Sequence, residues 1–325
     1  MPQPLSQPPE LPGFPALPLP LDAECFELQA EAGRIAVYRA GPLVAAGPNS
    51  PVQKRPLLLV HSVNASASAA EVAPLFGYYR NTRPVYALDL PGYGKSDRSD
   101  RLYTPRLMTD ALHAVVNAMR AQNDGGPVDM LGVSLSCEYV VRVHSEAPNA
   151  LRRIALVSPT GFSGRKRRYG PPGSTRGIAW LHKLLANPAW SGALFNALTR
   201  PGVIRYFLER TWGSKTIDEA LWRYDVLTTR QPGAKNAPLC FLSAYLFSND
   251  INSLYEAVDC PAWVSMATRG DFTDYRGRTT VGGRPNWHFH LMEGGALPYF
   301  ENPKIFMALL DAFWDEGSGR PVFRR

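Results

Sequence analysis

The chain reads as an α/β protein: a mostly parallel central sheet with helices on both faces, interrupted by an α-helical cap insertion. Three observations carry this reading. Apolar runs such as Pro56-Leu57-Leu58-Leu59-Val60 have the uninterrupted burial pattern of parallel strands. These runs alternate with amphipathic helical stretches, as right-handed strand-helix-strand units require. The alternation then stops at Pro159 and resumes only at Pro261, and a block of about a hundred residues is too long to be a loop.

In chain order, the first twenty residues are proline-rich and read, with their neighbours to residue 24, as an extended arm. Arg34–Arg39 alternates like a half-buried strand, and Pro56–Val60 is a central strand. A helix from about Ala67 to Arg80 leads to a strand over Pro84–Asp89. A helix over about Pro105–Ala121, a strand Val128–Val133, a helix Leu135–Glu146 and a strand Arg153–Val157 repeat the unit. The block 161–257 carries helical spacings of three and four at Leu181-Leu184-Leu185, Leu194-Phe195-Leu198, Ile204-Phe207-Leu208 and Leu221-Trp222. Its aromatic residues Trp180, Trp190, Trp212, Phe241, Tyr245 and Phe247 suit either an apolar pocket or, with the greater weight, packing of the cap on the sheet. A strand Pro261–Met266, a last strand Trp287–Met292 and a helix Pro303–Trp314 complete the core, 25–160 with 258–318.

With 325 residues, 45% of them hydrophobic and 19% charged, the chain can bury a large core. The net charge of +7 is dispersed and no nucleic-acid reader motif is present, so no nucleic-acid partner is expected. The densest basic run, Arg165-Lys166-Arg167-Arg168, reads as a solvated loop before an anion site. The four cysteines, Cys25, Cys137, Cys240 and Cys260, lack metal or dithiol spacing, which fits a reducing compartment. The proline-rich start is unlike a secretory signal, and no apolar run reaches bilayer-spanning length, so the expected location is the cytoplasm. Neither a phosphate-binding glycine loop nor a metal cluster is found, and no cofactor is expected.

The chemistry-bearing segments sit where strands end. Gly132-Val133-Ser134-Leu135-Ser136 turns a buried strand into a helix, the setting of a G-x-S-x-G nucleophile elbow, with Ser136 in place of the final glycine. A serine on an arbitrary turn of this kind is as often a helix cap, so its place in the strand order is what favours a nucleophile. His61-Ser62-Val63-Asn64 ends the first buried strand in the manner of a His-Gly-x-x turn, again with serine for glycine. That spacing makes the backbone N–H groups of Val63 and Leu135 the candidate oxyanion donors. His61 itself reads as a structural hydrogen-bonding residue. Asp89-Leu90-Pro91-Gly92-Tyr93-Gly94-Lys95-Ser96 supplies a D-x-P-G-x-G-x-S loop, and Gly294-Gly295-Ala296-Leu297-Pro298-Tyr299-Phe300-Glu301-Asn302-Pro303 matches a G-H-x-P-x-x-x-E-x-P closing stretch with alanine at the second position.

Together these segments make the chain resemble the α/β-hydrolase superfamily, in its capped branch of esterases, lipases, epoxide hydrolases and haloalkane dehalogenases. The resemblance spans about Arg34 to Trp314 apart from the cap, and implies the α/β-hydrolase fold. It implies a serine nucleophile at Ser134, where an aspartate would have signalled a dehalogenase or epoxide hydrolase. It also implies an acid after the penultimate strand, Asp271 or alternatively Asp274, and a histidine at the position held by Ala296.

A Ser-His-acid relay needs that histidine as proton acceptor and donor. His288 and His290 lie on the last strand, up to ~20 Å from Ala296 along an extended chain. His113 and His144 sit on flanking helices and His182 on the cap, while Cys137 lies behind the elbow. Three functional readings stay open. The protein is a serine hydrolase of a moderately apolar ester, thioester or amide in which alanine was introduced at 296; or alanine is native and the pocket runs a lyase, decarboxylase or cyclase reaction; or the chain is an inactive binder of a ligand or partner. The two softened glycines favour a native departure, and the overall expectation is an enzyme of serine-esterase ancestry with an incomplete triad.

Overall fold

The computed structural model describes residues 14–42, 55–164, 166–271 and 273–315. The chain opens with two antiparallel strands, β1 (Glu24–Ala30) and β2 (Gly33–Ala40), paired through Phe26↔Val37 and Leu28↔Ile35. There follow β3 (Leu57–Val60), β4 (Val85–Leu88), β5 (Val128–Val133), β6 (Leu151–Val157), β7 (Ala262–Ala267) and β8 (Trp287–Met292). They form an eight-stranded sheet in the order β1-β2-β4-β3-β5-β6-β7-β8. β2 meets β4 antiparallel, and every pairing from β4 to β8 is parallel. β3, β4, β5 and β7 are buried at every position, as strands covered on both faces must be.

Between the strands run α1 (Ala73–Tyr79), α2 (Pro105–Gln122) and α3 (Ser136–Glu146). The insertion between β6 and β7 holds α4 (Ala179–Leu185), α5 (Ser191–Leu198), α6 (Pro201–Trp212), α7 (Glu219–Thr228), α8 (Asn236–Leu242) and α9 (Ile251–Ala257); α10 (Pro298–Glu301) and α11 (Pro303–Asp315) close the chain. Alternation along β5 divides the core. Met130 joins Val115, Met119 and Val140 of α2 and α3 on one face. Leu131 and Val133 join Phe76 of α1 and Phe306 and Leu310 of α11 on the other. Among the described residues no helix is long and apolar enough to cross a membrane.

The strands and flanking helices fall close to their expected places, and the departures have local causes. The expected helix over Ala67–Arg80 divides into a 3-10 turn, Ala69–Val72, and α1, with Pro74 at the start of the second piece. β1 has no counterpart in the sequence reading because, as an edge strand, it buries only Phe26 fully. α8 and α9 were likewise not anticipated; each has seven residues, two turns of helix and too few for a clear period. Trp180 and Trp190 pack neither a pocket nor the sheet: they are 69% and 43% exposed, whereas Trp212 is buried.

Of the proline-rich arm, residues 1–13 lie outside the described residues, as does Arg165 of the basic run. The described part of the arm runs along α7, where Tyr224 Oη donates to the Pro18 carbonyl at 3.0 Å and Gln231 Nε2 to that of Pro15 at 2.9 Å.

Candidate active site

The site is built where β3, β5 and β6 end side by side. Val60 pairs with Gly132 and Gly132 with Leu156, so the loops after these three strands emerge together at one sheet edge. Gly132 lets α3 double back onto β5, since a Cβ there would stand 2.8 Å from Val140 Cγ2 and 3.2 Å from the Cys137 nitrogen. The turn leaves Ser134 at φ 54°, in the left-handed region that costs an L-residue energy. Its backbone is pinned by a 2.8 Å bond from its N–H to the Val157 carbonyl. The side chain is half-buried, and among the described residues its hydroxyl has no hydrogen-bond partner.

The two serines standing for glycines are both used. Ser136 is fully buried and donates to the His61 carbonyl, tying the elbow helix to the β3 loop. Ser62 donates to Glu71 through its backbone N–H at 2.7 Å and its hydroxyl at 2.9 Å, and Asn64 Nδ2 reaches the same carboxylate at 2.9 Å. The loop is thus held rigid around Val63. The backbone N–H groups of Val63 and Leu135, both buried, have no acceptor among the described residues. His61 is structural: its Nδ1 bonds the Ser62 carbonyl at 2.6 Å and its Nε2 accepts from the Leu90 N–H at 3.0 Å. Below, Asp89 accepts from Ala69 N, Lys95 N and Tyr38 Oη at 2.6 to 2.8 Å. Gly94, at φ 47°, passes so close that a Cβ would fall 1.9 Å from Asp89 Cγ. The D-x-P-G-x-G-x-S loop therefore fastens the fold.

Ala296 reaches the same edge from the far side. Its carbonyl accepts from the Ser158 hydroxyl at 2.8 Å, and its N–H donates to the Thr211 carbonyl at 2.9 Å. It is buried under the last turn of α6, where a Cβ on Gly295 would meet Trp212 Cα at 2.5 Å. Glu301 clamps the loop, accepting from Gly295 N at 2.6 Å and pairing with Arg269.

The two acids are engaged elsewhere. The Asp271 N–H bonds the Arg210 carbonyl, near Ala296, yet its partly exposed carboxylate is gripped by the Arg210 guanidinium at 2.5 and 2.9 Å. Asp274 takes a bidentate contact from Arg276 and further bonds from Ser163 and Gly164; the Arg276 guanidinium holds it well below the usual carboxylate range. Ser134, Val63 and Leu135 are therefore brought together with Ala296 nearby, while neither carboxylate is directed at position 296.

The five histidines besides His61 also have other partners. His113 pairs with Glu146 and His144 with Asp259; His182 bonds Ser243; His290 stacks on Trp263; and the His288 ring lies 6.0 Å from that of Phe313. Cys137 donates to the Gly132 carbonyl at 3.2 Å, and burial pushes its thiol well up.

Two further acids, passed over in the sequence, lie against the loop that follows β3. Glu71 is the carboxylate that holds Ser62. Asp225 of α7 is fully buried, with both oxygens lacking a hydrogen bond. Burial, and after it the negative Glu71, push the Asp225 carboxyl far above its ordinary range, against which the Ser66 hydroxyl pulls. A signal existed: with Leu221, Tyr224 and Thr228, Asp225 occupies the buried stripe of its helix, an unusual place for an acid.

Residues 57–309 match the model of a family described as the alpha/beta hydrolase family. Among solved structures, a probable hydrolytic enzyme from Pseudomonas aeruginosa PAO1 is similar with a TM-score of 0.68 and 16% identity, over 93% of this chain and 96% of that one. Naproxen esterase (carboxylesterase NP) from Bacillus subtilis gives 0.64 and 16% identity, over 91% and 93%. The enol-lactonase from Burkholderia xenovorans LB400 gives 0.65 and 13%, over 88% and 98%. At these identities the likeness is one of fold. No curated protein matches the chain.

Proposed function

This chain belongs to the alpha/beta hydrolase family, and from that premise we propose an enzyme of serine-esterase ancestry acting on a moderately apolar small-molecule carbonyl compound held beneath a helical cap formed by residues 161–257. The observation that carries the proposal is the Ser134 hydroxyl on a left-handed turn, beside the N–H groups of Val63 and Leu135, all three without a hydrogen-bond partner among the described residues. Ser134 is the nucleophile toward an ester, thioester or amide carbonyl. Val63 and Leu135 donate to the oxyanion, a charge that preorganised donors stabilise by several kcal/mol, on the order of 3 per donor.

A second reading, a lyase, decarboxylase or cyclase in the same pocket, is favoured by Ala296 itself. Its backbone is tied to both Thr211 and Ser158, and the acids after β7 are occupied by arginines, so the surroundings of position 296 suit alanine. In that reading the donors stabilise an enolate or similar oxyanion without a serine relay.

The test is labelling with a fluorophosphonate and turnover of p-nitrophenyl butyrate and octanoate, by the protein and by Ser134→Ala. An adduct mapped to Ser134, with turnover lost in the variant, is expected for the hydrolase. An adduct without ester turnover selects the second reading. No adduct and equal rates in the two proteins rule out a reacting serine.

A further inference from the structure

The missing histidine leaves the pocket without a proton acceptor or donor, yet a buried acid pair faces its oxyanion loop. Glu71, 2% exposed, accepts two bonds from Ser62 and one from Asn64, the contacts an ionised carboxylate makes. Asp225 comes down from α7 against the same loop, fully buried; the Ser66 hydroxyl approaches it, but among the described residues neither oxygen has a hydrogen bond of good geometry. Ser62 and Ser66 each keep 8% exposure and Asn64 more, so the loop beneath Asp225 reaches solvent. A buried acid used only for structure would have its hydroxyl and carbonyl satisfied by neighbours.

We propose that Asp225 and Glu71 form the proton-transferring pair of this site, doing for a carbonyl substrate at Ser134 what a histidine at position 296 would do. The proposal rests on the reading of Ser134 as the reacting residue. At rest the pair holds one proton, on Asp225. As Ser134 Oγ bonds to the carbonyl carbon, the serine proton passes to the pair. The bond from that carbon to the leaving oxygen breaks, and Asp225 supplies the leaving oxygen with a proton. Water then attacks the acyl group, gives one proton to the pair, and Ser134 Oγ is reprotonated from it. The pair ends with the single proton it began with.

The groups facing the pair favour this resting state. Glu71 of the 3-10 turn presents negative charge to Asp225, and Ser66 offers a hydroxyl that already points to Asn64 Oδ1 at 3.3 Å. Tyr224 beside it on α7 is a buried phenol, with its hydroxyl turned to Pro18, and Tyr299 of α10 bonds the Glu71 carbonyl at 3.0 Å. Among the described residues no arginine, lysine or histidine pairs with either acid. A buried carboxyl near a carboxylate and without a cation keeps its proton.

The experiment measures the rate at which a fluorophosphonate phosphonylates Ser134, with loss of fluoride, from pH 5 to 9, the adduct being mapped by mass spectrometry. It compares the full chain with Asp225→Asn, Asp225→Glu and Glu71→Gln. The protonated-carboxyl infrared band is recorded alongside at pH 7. Expected are a loss of at least ten-fold and of the pH inflection in Asp225→Asn, recovery of an inflection in Asp225→Glu, and an infrared band missing from Asp225→Asn only. Labelling of Asp225→Asn within two-fold of the parent and with the same pH profile overturns the pair and leaves the Ser134 reading intact, and a parent protein lacking the band does the same. Ser134 unlabelled at every pH in the parent overturns both.

Discussion

The hydroxyl of Ser158 donates a 2.8 Å hydrogen bond to the carbonyl of Ala296. Ser158 follows β6, lies at φ 48°, and is the neighbour of the elbow serine, which lies at φ 54° on the next strand end. Two left-handed serines thus stand on adjacent strands, one presenting a free hydroxyl and the other fastening the loop where a histidine was expected. Strain of this kind persists only where surrounding contacts enforce it.

Ala296→His is expected to leave ester turnover within a few-fold of the parent and to lower the melting temperature. The residue is buried under α6, so an imidazole overpacks the loop at a cost of about 1–3 kcal/mol. No acid is directed at position 296 to orient it, Asp271 and Asp274 being paired with Arg210 and Arg276. A rise of a hundred-fold or more that disappears with Ser134→Ala contradicts this and means that one side chain separates the protein from a working relay.

Ser136→Ala removes the bond to the His61 carbonyl that joins α3 to the loop after β3. The loss of one buried hydrogen bond predicts a stability decrease of ~1–2 kcal/mol in urea unfolding. Gly132→Ala, with its Cβ 2.8 Å from Val140, is expected to cost at least as much. Stability unchanged in both variants is inconsistent with the close strand-helix packing described.

Asp225 sets a pH dependence of stability whose sign follows from its raised folded-state affinity for the proton. Below pH about 4 the carboxyl is protonated in both states and its favourable contribution is complete. As pH rises the unfolded chain ionises while the native state holds the proton, so stability falls, by at most ~1.4 kcal/mol per pH unit, until the folded-state value is passed. Asp225→Asn should therefore gain on the parent protein as pH rises above about 4. Urea midpoints whose difference does not change with pH refute it. Glu138, also raised by burial, adds a slope common to both proteins and cancels in the difference.

The thiols should be inert in the native protein. Burial raises Cys25 and Cys260 to about 12 and Cys240 to about 11, and Cys137 well up. Titration with a chromogenic disulfide at pH 8 is expected to count four thiols only after denaturation. Rapid native labelling of Cys137 would place it outside the core.

The alternation of apolar runs with amphipathic helices was enough to place seven of the eight strands, and it was plainest at β3, β4, β5 and β7, where burial on both faces of a parallel strand leaves a near-continuous apolar run. The tight turn from strand to helix was legible in Gly132 and Ser134 for a local reason: glycine and a small side chain are what such a turn admits. The hydroxyls of Ser136 and Ser62 could not be assigned from sequence: Ser136 meets the His61 carbonyl only when β3 lies beside β5, and Ser62 meets Glu71 only when the 3-10 turn folds back on the loop after β3. Nor could the acids after β7, whose engagement with Arg210 and Arg276 is a matter of where side chains end. Asp225 is the sharpest case. In the chain it lies 154 positions from Glu71; only the descent of α7 onto the β3 loop removes it from water and sets it against that carboxylate, and a carboxyl's chemistry is decided by its surroundings more than by its place in the sequence.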